Sequence, residues 1–126
     1  MRRSKQDPIV LIVEEDEQIR ESLSDMLTER GYSTVGVRTG SHGMTLIDRG
    51  LQPRVIVLDP FTANGARQFK VDLAARTSFA RVPVIVGPGG LAAGVEHTLR
   101  HEHHLPPPLD VQELLRLVQG YCRPWV

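Results

Sequence analysis

The sequence is poor in several features that would each indicate a particular class of protein. It contains one cysteine in 126 residues, which excludes an intramolecular disulfide and a zinc site built on cysteine pairs. Its longest purely apolar run, Ile9–Val13, is far shorter than the ~18 residues that a membrane helix needs. The 15 basic residues balance the 15 acidic ones, so no net charge favours nucleic acid or an anionic membrane surface. We therefore expect a soluble, cytoplasmic protein with neither nucleic acid nor membrane as a partner.

The chain has the length and composition of one globular domain. Its 126 residues fall in the usual range of ~100–200 residues per domain, and apolar residues make up 40% of them. No internal repeat, low-complexity block or linker divides the sequence. We expect a single domain over residues 1–126, with its core at about 8–119 and tails at 1–7 and 120–126.

Short apolar runs alternate with helix-like stretches along the chain. The β-branched run at the start is typical of a strand buried on both faces, and apolar residues between the runs recur at the spacing of amphipathic helices. Alternating strands and helices favour parallel pairing with helices on both faces of the sheet, that is, a doubly wound α/β fold. The predicted strands are Ile9–Val13, Ser33–Arg38, Arg54–Leu58, Val82–Val86 and a very short one around His103–Leu105; the predicted helices lie around residues 19–27, 41–49, 69–74, 91–99 and 111–118.

Acidic residues directly follow the first and third predicted strands. Chemistry in open parallel sheets gathers at the carboxyl ends of the central strands, so Glu14, Glu15 and Asp59 converge on one pocket if these two strands are neighbours. Carboxylates this close raise one another's proton affinity unless a cation relieves them, and a site made only of hard oxygen ligands suits Mg²⁺. Asp16 and Glu17 are better explained by the positive end of the following helix.

Residues 9–20 (IVLIVEEDEQIR) resemble the opening of response-regulator receiver domains, in which an acidic pair follows the first strand. The other segments that fall at the intervals of this family are Gly31-Tyr32, Gly40, Val55–Asp59, Pro83–Val86, Pro107–Asp110 and Leu114-Leu115. The resemblance covers about residues 8–119. It implies a flavodoxin-like, five-stranded parallel sheet in the order 2-1-3-4-5, as in chemotaxis regulators of bacterial two-component signalling.

The resemblance also assigns roles to individual residues. It makes Asp59 the phosphoacceptor, and it places Glu14 and Glu15 at the magnesium-binding acidic pair. Asp59 itself and the backbone carbonyl of Phe61 would complete the protein's contacts to Mg²⁺. In the family, a serine or threonine after strand four and a lysine after strand five grip the phosphoryl oxygens, in keeping with the logic of phosphoryl transfer. The implied partner is a signalling protein, either a histidine kinase or a downstream effector.

The sequence departs from the family at the positions that respond to a phosphoryl group. The switch-loop positions Gly87, Pro88 and Gly89 carry no hydroxyl, and Pro107 stands where the family has its lysine. His104 falls where receivers carry an aromatic switch residue, and glutamates replace the usual aspartates of the acidic pair. Without the lysine, charge on a transferred phosphoryl group has one neutralising partner fewer. We interpret the chain as an atypical receiver-like module, not an enzyme, in which magnesium binding is weak or absent.

The expected output of such a module is protein–protein interaction. By the resemblance, the surface involved is formed by the fourth helix, the fifth strand and the last helix, and the same face would carry a homodimer. Two alternatives stay open. One is a single-domain response regulator phosphorylated on Asp59 in the usual magnesium-dependent way. The other is a small nucleotide- or phosphate-binding domain that uses the backbone N–H groups of Gly87–Gly90, although the P-loop and dinucleotide motifs are absent.

A histidine-rich stretch lies just before the three consecutive prolines. Its members are Glu96, His97, His101, Glu102, His103 and His104. Histidine and glutamate at these spacings suit Zn²⁺ or Ni²⁺. The simpler interpretation, which we favour, is a solvated helix end.

Overall fold

The computed structural model describes residues 8–62, 65–88, 90 and 101–122. Within them, a parallel five-stranded sheet has the spatial order β2-β1-β3-β4-β5, which confirms the predicted fold class and strand order. No helix in this part of the chain is both long and apolar enough to cross a membrane. The elements are β1 (Ile9–Val13), α1 (Glu17–Glu29), β2 (Ser33–Val37), α2 (Gly40–Asp48), β3 (Val55–Leu58), α3 (Ala66–Ala74), a 3-10 turn (Thr77–Phe79), β4 (Val84–Val86), β5 (Glu102–His104) and α4 (Val111–Tyr121).

The five strands lie where the sequence predicts them, with ends that differ by at most two residues. The fifth strand begins at Glu102, one residue before the predicted start, and ends at His104. The short strand predicted around His103–Leu105 is therefore confirmed, whereas the interpretation of the stretch as a solvated helix end is wrong for residues 102–104, because ladder bonds to β4 hold them in a strand and Glu102 is buried. The predicted helix around residues 91–99, together with Gly89, Glu96 and His97, lies outside the described residues.

The sheet separates two apolar layers, as its sequence periodicity implies. Along β1, Leu11 and Val13 pack with α2 and α3, whereas Val10 and Ile12 pack with α1 and α4. All four side chains are fully buried. Side chains of a strand alternate between faces, so a run of branched apolar residues fills both layers at once. This central position of β1 fixes the residues that follow it at the edge where the strands end.

Carboxylate caps set the start of the two helices on one face. The Oδ1 atom of Asp16 accepts a hydrogen bond of 3.0 Å from the N–H of Ile19 at the start of α1. The Oδ1 atom of Asp110 accepts from the N–H groups of Gln112 and Glu113 at 3.0 and 3.2 Å. Such caps satisfy the unpaired N–H groups of a first helical turn. The cap at Asp16 turns the chain into α1 immediately after the acidic pair, which keeps that pair beside the sheet.

Candidate functional site

The carboxyl ends of β1 and β3 bring Glu14 and Asp59 side by side. β1 pairs with β3 so that Val13 lies beside Leu58, and the N–H of Asp59 donates to the carbonyl of Val13 at 2.8 Å. On the other side, the N–H of Glu14 donates to the carbonyl of Val37 on β2 at 2.9 Å. Both residues are partly buried. The backbone ladder of the sheet therefore extends to the two acidic residues and holds them in place.

The turn after β3 ties the Asp59 carboxylate to its own loop. Its Oδ1 atom accepts from the N–H of Phe61 at 3.1 Å, and its backbone carbonyl accepts from the N–H of Thr62 at 3.2 Å. This is the side-chain-to-backbone turn that aspartate favours. Pro60 and Thr62 are buried, and the Thr62 hydroxyl donates to the carbonyl of Arg38 at 3.3 Å. Phe61 is 62% exposed, so its ring extends into solvent beside the site.

The Glu14 carboxyl interacts directly with that of Asp59. Burial chiefly, and then the charge of Asp59 and a hydrogen bond between the two carboxyls, raise the pKa of Glu14 from 4.5 to about 7. A hydrogen bond of 3.0 Å from the N–H of Asp16 to Oε2 of Glu14 opposes this rise. Glu14 therefore holds its proton to a higher pH than a solvent-exposed glutamate does. A proton on the Glu14 carboxyl removes one of the two negative charges and so lowers the repulsion between Glu14 and Asp59.

The structure brings together two of the three predicted carboxylates. Glu15 is exposed, and its side chain does not line the cavity that Glu14 and Asp59 share. The Arg20 guanidinium fixes this stretch of backbone, since its Nη1 atom donates to the carbonyls of Glu14 and Glu15 at 2.9 and 3.4 Å. Among residues 8–62, 65–88, 90 and 101–122, no three histidine, cysteine, aspartate or glutamate side chains are grouped so as to hold a metal ion. The carboxyl groups that meet at this edge of the sheet are those of Glu14 and Asp59.

A cavity of about 240 Å³ opens beside these two carboxyls. Two switch-loop residues, Gly87 and Pro88, belong to its wall. The N–H of Gly87 donates to the carbonyl of Leu58 at 2.9 Å, so it continues the sheet ladder and is already engaged. None of the described lining residues is a lysine, arginine, serine or threonine; they are Ile12, Val13, Glu14, Ile19, Leu23, Val57, Leu58, Asp59, Pro60, Gly87, Pro88, Leu105, Leu109 and Leu114. Pro107 is exposed and is not among them.

A buried ionic cluster that the sequence analysis missed joins α3 to β5. Lys70 is 2% exposed, and its Nζ atom donates to both carboxylate oxygens of Glu102, at 2.9 and 2.8 Å. The same carboxylate is hydrogen-bonded to Nε2 of His104. Glu102 and His104 are two residues apart on one strand, so they face the same side of the sheet. The His104 ring is therefore held inward, where Gly90 lies close enough that a Cβ atom on it would come within 3.0 Å of the ring.

One sequence signal could have revealed Lys70. It falls on the stripe of α3 that faces the core, which consists of Ala66, Phe69, Lys70 and Leu73. A charged residue at such a position requires a buried partner. Glu102 pairs with Val84, which pairs with Ile56, three residues before Asp59. A strand spacing of ~4.8 Å and a rise of ~3.3 Å per residue then put the backbone of Glu102 roughly 14 Å from that of Asp59, so the partner that holds the Lys70 ammonium lies away from Asp59.

Solved structures share this fold over nearly the whole chain. The receiver domain of a signal transduction histidine kinase from Syntrophus aciditrophicus superposes with a TM-score of 0.79 at 21% identity, covering 91% of this chain and 89% of that one. The receiver domain of a sensor histidine kinase from Pseudomonas aeruginosa, which holds a magnesium ion in its active-site cleft, gives 0.77 at 20% identity, covering 94% and 99%. A chemotaxis response regulator of Vibrio cholerae gives 0.73 at 18% identity, covering 91% and 98%.

Comparison with family models and with curated proteins finds no match. The sheet order, the acidic residues after β1 and β3 and the structural likeness nevertheless agree with one another. The chain therefore has the fold of response-regulator receiver domains.

Proposed function

We propose that this chain is an atypical receiver-like signalling module of the two-component type, which acts in the cytoplasm through protein–protein contacts. The module spans about residues 8–119 and works as a binding module, not as an enzyme. Its partner is a histidine kinase or a downstream effector, and the partner-binding face includes β5 and α4, which would also carry a homodimer. In this proposal, the output does not depend on phosphorylation of Asp59.

The observation that carries the proposal is the composition of the cavity beside Asp59. Phosphoryl transfer relies on positioned charge, because the charge on the transferred group must be neutralised. No described lining residue brings a cation to Asp59, and the position of the family's lysine holds the exposed Pro107. The neighbour of Asp59 is instead the Glu14 carboxyl, which adds negative charge or a proton. This arrangement disfavours the approach of a dianionic phosphoryl group.

The residues that would transmit phosphorylation are altered as well. A two-state element responds only to a ligand that makes different contacts in its two states. Gly87 has no hydroxyl with which to follow a phosphoryl group, and its N–H is bonded to Leu58. The His104 ring is hydrogen-bonded to the buried Glu102 carboxylate. These contacts support a single form of the β5 face whether or not Asp59 is modified.

We also propose that magnesium binding at this edge is weak or absent. Mg²⁺ requires near-ideal octahedral geometry, with oxygen ligands at ~2.0–2.1 Å. Each of the two carboxyls that meet here already accepts a backbone N–H, from Asp16 in one case and from Phe61 in the other. The exposed Glu15 side chain does not join them. Two carboxyls that already accept backbone hydrogen bonds, without Glu15 beside them, fit the ion poorly.

The first prediction concerns phosphorylation itself. Incubation of the wild-type chain with acetyl phosphate and Mg²⁺ is expected to leave its intact mass unchanged, because the charge-neutralising groups are missing. The variant Gly87→Thr/Pro107→Lys introduces a hydroxyl and an ammonium group at the positions where the receiver family carries them. This variant is expected to gain mass. A Cβ atom at Gly87 meets Pro60 at 3.4 Å, an ordinary contact, so the threonine is tolerated. A phosphoryl gain in wild type that disappears in Asp59→Asn would overturn the proposal and favour a conventional response regulator.

The second prediction concerns the pH dependence of stability that follows from the raised pKa of Glu14. Because the folded-state pKa of Glu14, about 7, exceeds its unfolded value, its contribution to stability is present below pH 4.5 and is lost as the pH rises through 7. Glu14→Gln is therefore expected to raise the free energy of unfolding above pH 8 by about 1–2 kcal/mol, after allowance for solvent screening, and to change it little at pH 4.5.

Urea unfolding at several pH values measures this effect, and Glu15→Gln is the matched control. Glu15 is exposed, so its substitution is expected to leave the pH profile of stability parallel to that of wild type. Equal profiles for the two glutamine variants would contradict the interaction between Glu14 and Asp59.

A further inference from the structure

The cavity beside Asp59 is apolar on most sides and acidic on one. Ile12, Leu23 and Leu114 supply apolar walls from β1, α1 and α4, and Glu14 and Asp59 supply the acidic wall. We propose that this cavity is a binding site for a small molecule that joins a flat apolar body to a cationic amine. The inference goes beyond the proposed function, because it assigns to the site a ligand of a different chemical class from a phosphoryl group.

The volume of the cavity sets the size of the occupant. At about 240 Å³, it exceeds a cavity of ~150 Å³ that binds benzene and is somewhat smaller than the ~300 Å³ at which drug-sized sites begin. A body of one or two fused rings with a short side chain falls in this interval. Larger ligands would have to displace buried residues such as Leu114, which is 1% exposed.

The charge of the cavity wall determines the sign of the charge that the ligand should carry. Among the described lining residues, the carboxyls of Glu14 and Asp59 are the only ionisable side chains. An ammonium group placed against the two carboxylates would relieve the repulsion between them. Apolar surroundings strengthen such a charge pair relative to water. An anion of the same shape would meet two like charges and, among the described lining residues, no cation.

The mouth of the cavity is itself apolar. Ile19 in the first turn of α1 is 46% exposed, and Leu109 in the loop before α4 is 41% exposed. Both residues line the cavity, so apolar surface lies in solvent on two sides of the opening. Covering this surface is favourable, at roughly 25 cal/mol per Å² of apolar area removed from water. The opening therefore favours the ring system of the proposed ligand over a hydrated ion.

Three probes that share the indole ring test this site in the chain of 126 residues. Isothermal titration at pH 7.5 compares tryptamine, indole and indole-3-acetate, in which the substituent at C3 of the ring is cationic, absent and anionic. Tryptamine is expected to bind at least tenfold more tightly than indole, and indole-3-acetate at least tenfold more weakly than indole. Asp59→Asn/Glu14→Gln is expected to remove the preference for tryptamine while leaving the affinity for indole unchanged.

A pair of tryptophan variants tests the location. Leu109→Trp fills the mouth and is expected to abolish tryptamine binding. Val111→Trp is the matched control, because Val111 is 39% exposed, lies two residues away and does not line the cavity. It is expected to leave the affinity unchanged. Thermal unfolding of both variants, within a few degrees of wild type, shows that they fold.

The inference is overturned by any of three results. These are the absence of binding by all three probes at 5 mM, a ranking that does not follow charge, and tryptamine binding that survives Leu109→Trp. The result of the acetyl phosphate experiment is independent of the result of the binding experiments. A phosphoryl gain on wild type would overturn the proposed function and leave the ligand site standing, whereas loss of the ligand site would leave the mass result unchanged.

Discussion

Replacing Lys70 by methionine is expected to lower the free energy of unfolding by about 3–5 kcal/mol, the usual cost of removing one partner from a buried ion pair. Methionine keeps most of the volume and the apolar stem of lysine but removes the ammonium group from the Glu102 carboxylate. That carboxylate has no exposed surface, and it accepts hydrogen bonds of 2.8 and 2.9 Å from Lys70. Taking a carboxylate out of water is costly unless a cation and hydrogen bonds offset the lost hydration.

A double-mutant cycle with urea unfolding measures the coupling of this pair. Lys70→Met/Glu102→Gln is expected to recover more than half of the loss caused by Lys70→Met, because the neutral amide no longer needs a cation. Arg76→Met is the matched control. Arg76 pairs with Asp48 at 2.7 Å, but both side chains reach solvent, so its loss is expected to be far smaller. A Lys70→Met effect no larger than that of Arg76→Met would contradict the structural role of the buried pair.

The buried core of the fold could be predicted from the sequence because it follows simple periodicity. The apolar runs at β1 and β3 contain no polar residue, and a strand buried on both faces needs none. The order of the strands came from the resemblance to receiver domains, which the sheet confirms. The ends of strands were less certain. β4 begins at Val84, two residues after the predicted start, because Val82 and Pro83 lie before its first ladder residue.

The candidate site could be predicted only in part, because position along the chain does not fix the direction of a side chain. Glu14 and Glu15 are adjacent and chemically alike, so the sequence treats them as equivalent. Successive residues in extended backbone point in opposite directions, and the structure directs Glu14 toward Asp59 and leaves Glu15 exposed. The turn at Asp16 preserves this difference by starting α1 at once.

The ionic cluster could not be predicted because each of its members has an ordinary explanation by itself. Glu102 and His104 belong to a stretch so rich in polar residues that it suggested solvent exposure. Lys70 lies 32 positions away along the chain from Glu102. Only the parallel sheet, which places the short strand β5 under α3, brings them together. A charged residue on the apolar stripe of a helix, such as Lys70 on α3, therefore indicates a buried partner of opposite charge elsewhere in the sequence.

Phe69, the residue before Lys70, is expected to have an effect of similar size through packing alone. Phe69→Ala should lower the free energy of unfolding by about 3–5 kcal/mol, because it removes a ring from a close-packed core. Phe69 is 2% exposed and lies against Gly40 and Gly43 of α2. A Cβ atom on Gly40 would come within 3.1 Å of two Phe69 atoms, so α2 approaches this ring as closely as a helix can. Alanine would leave a cavity that neither helix can close without moving.

Val71→Ala is the matched control for this prediction, since it shortens a side chain two residues later on the same helix. Val71 is 57% exposed, so its truncation removes little buried surface and is expected to change stability by less than about 0.5 kcal/mol. Urea unfolding of the two variants separates packing from helix propensity, because alanine is the better helix former at both positions. If Phe69→Ala and Val71→Ala were equally mild, the close contact between α2 and α3 would not contribute to stability. If Phe69→Ala instead reduced the coupling between Lys70 and Glu102 as well, the ring would be what holds α3 at the distance at which the buried pair forms.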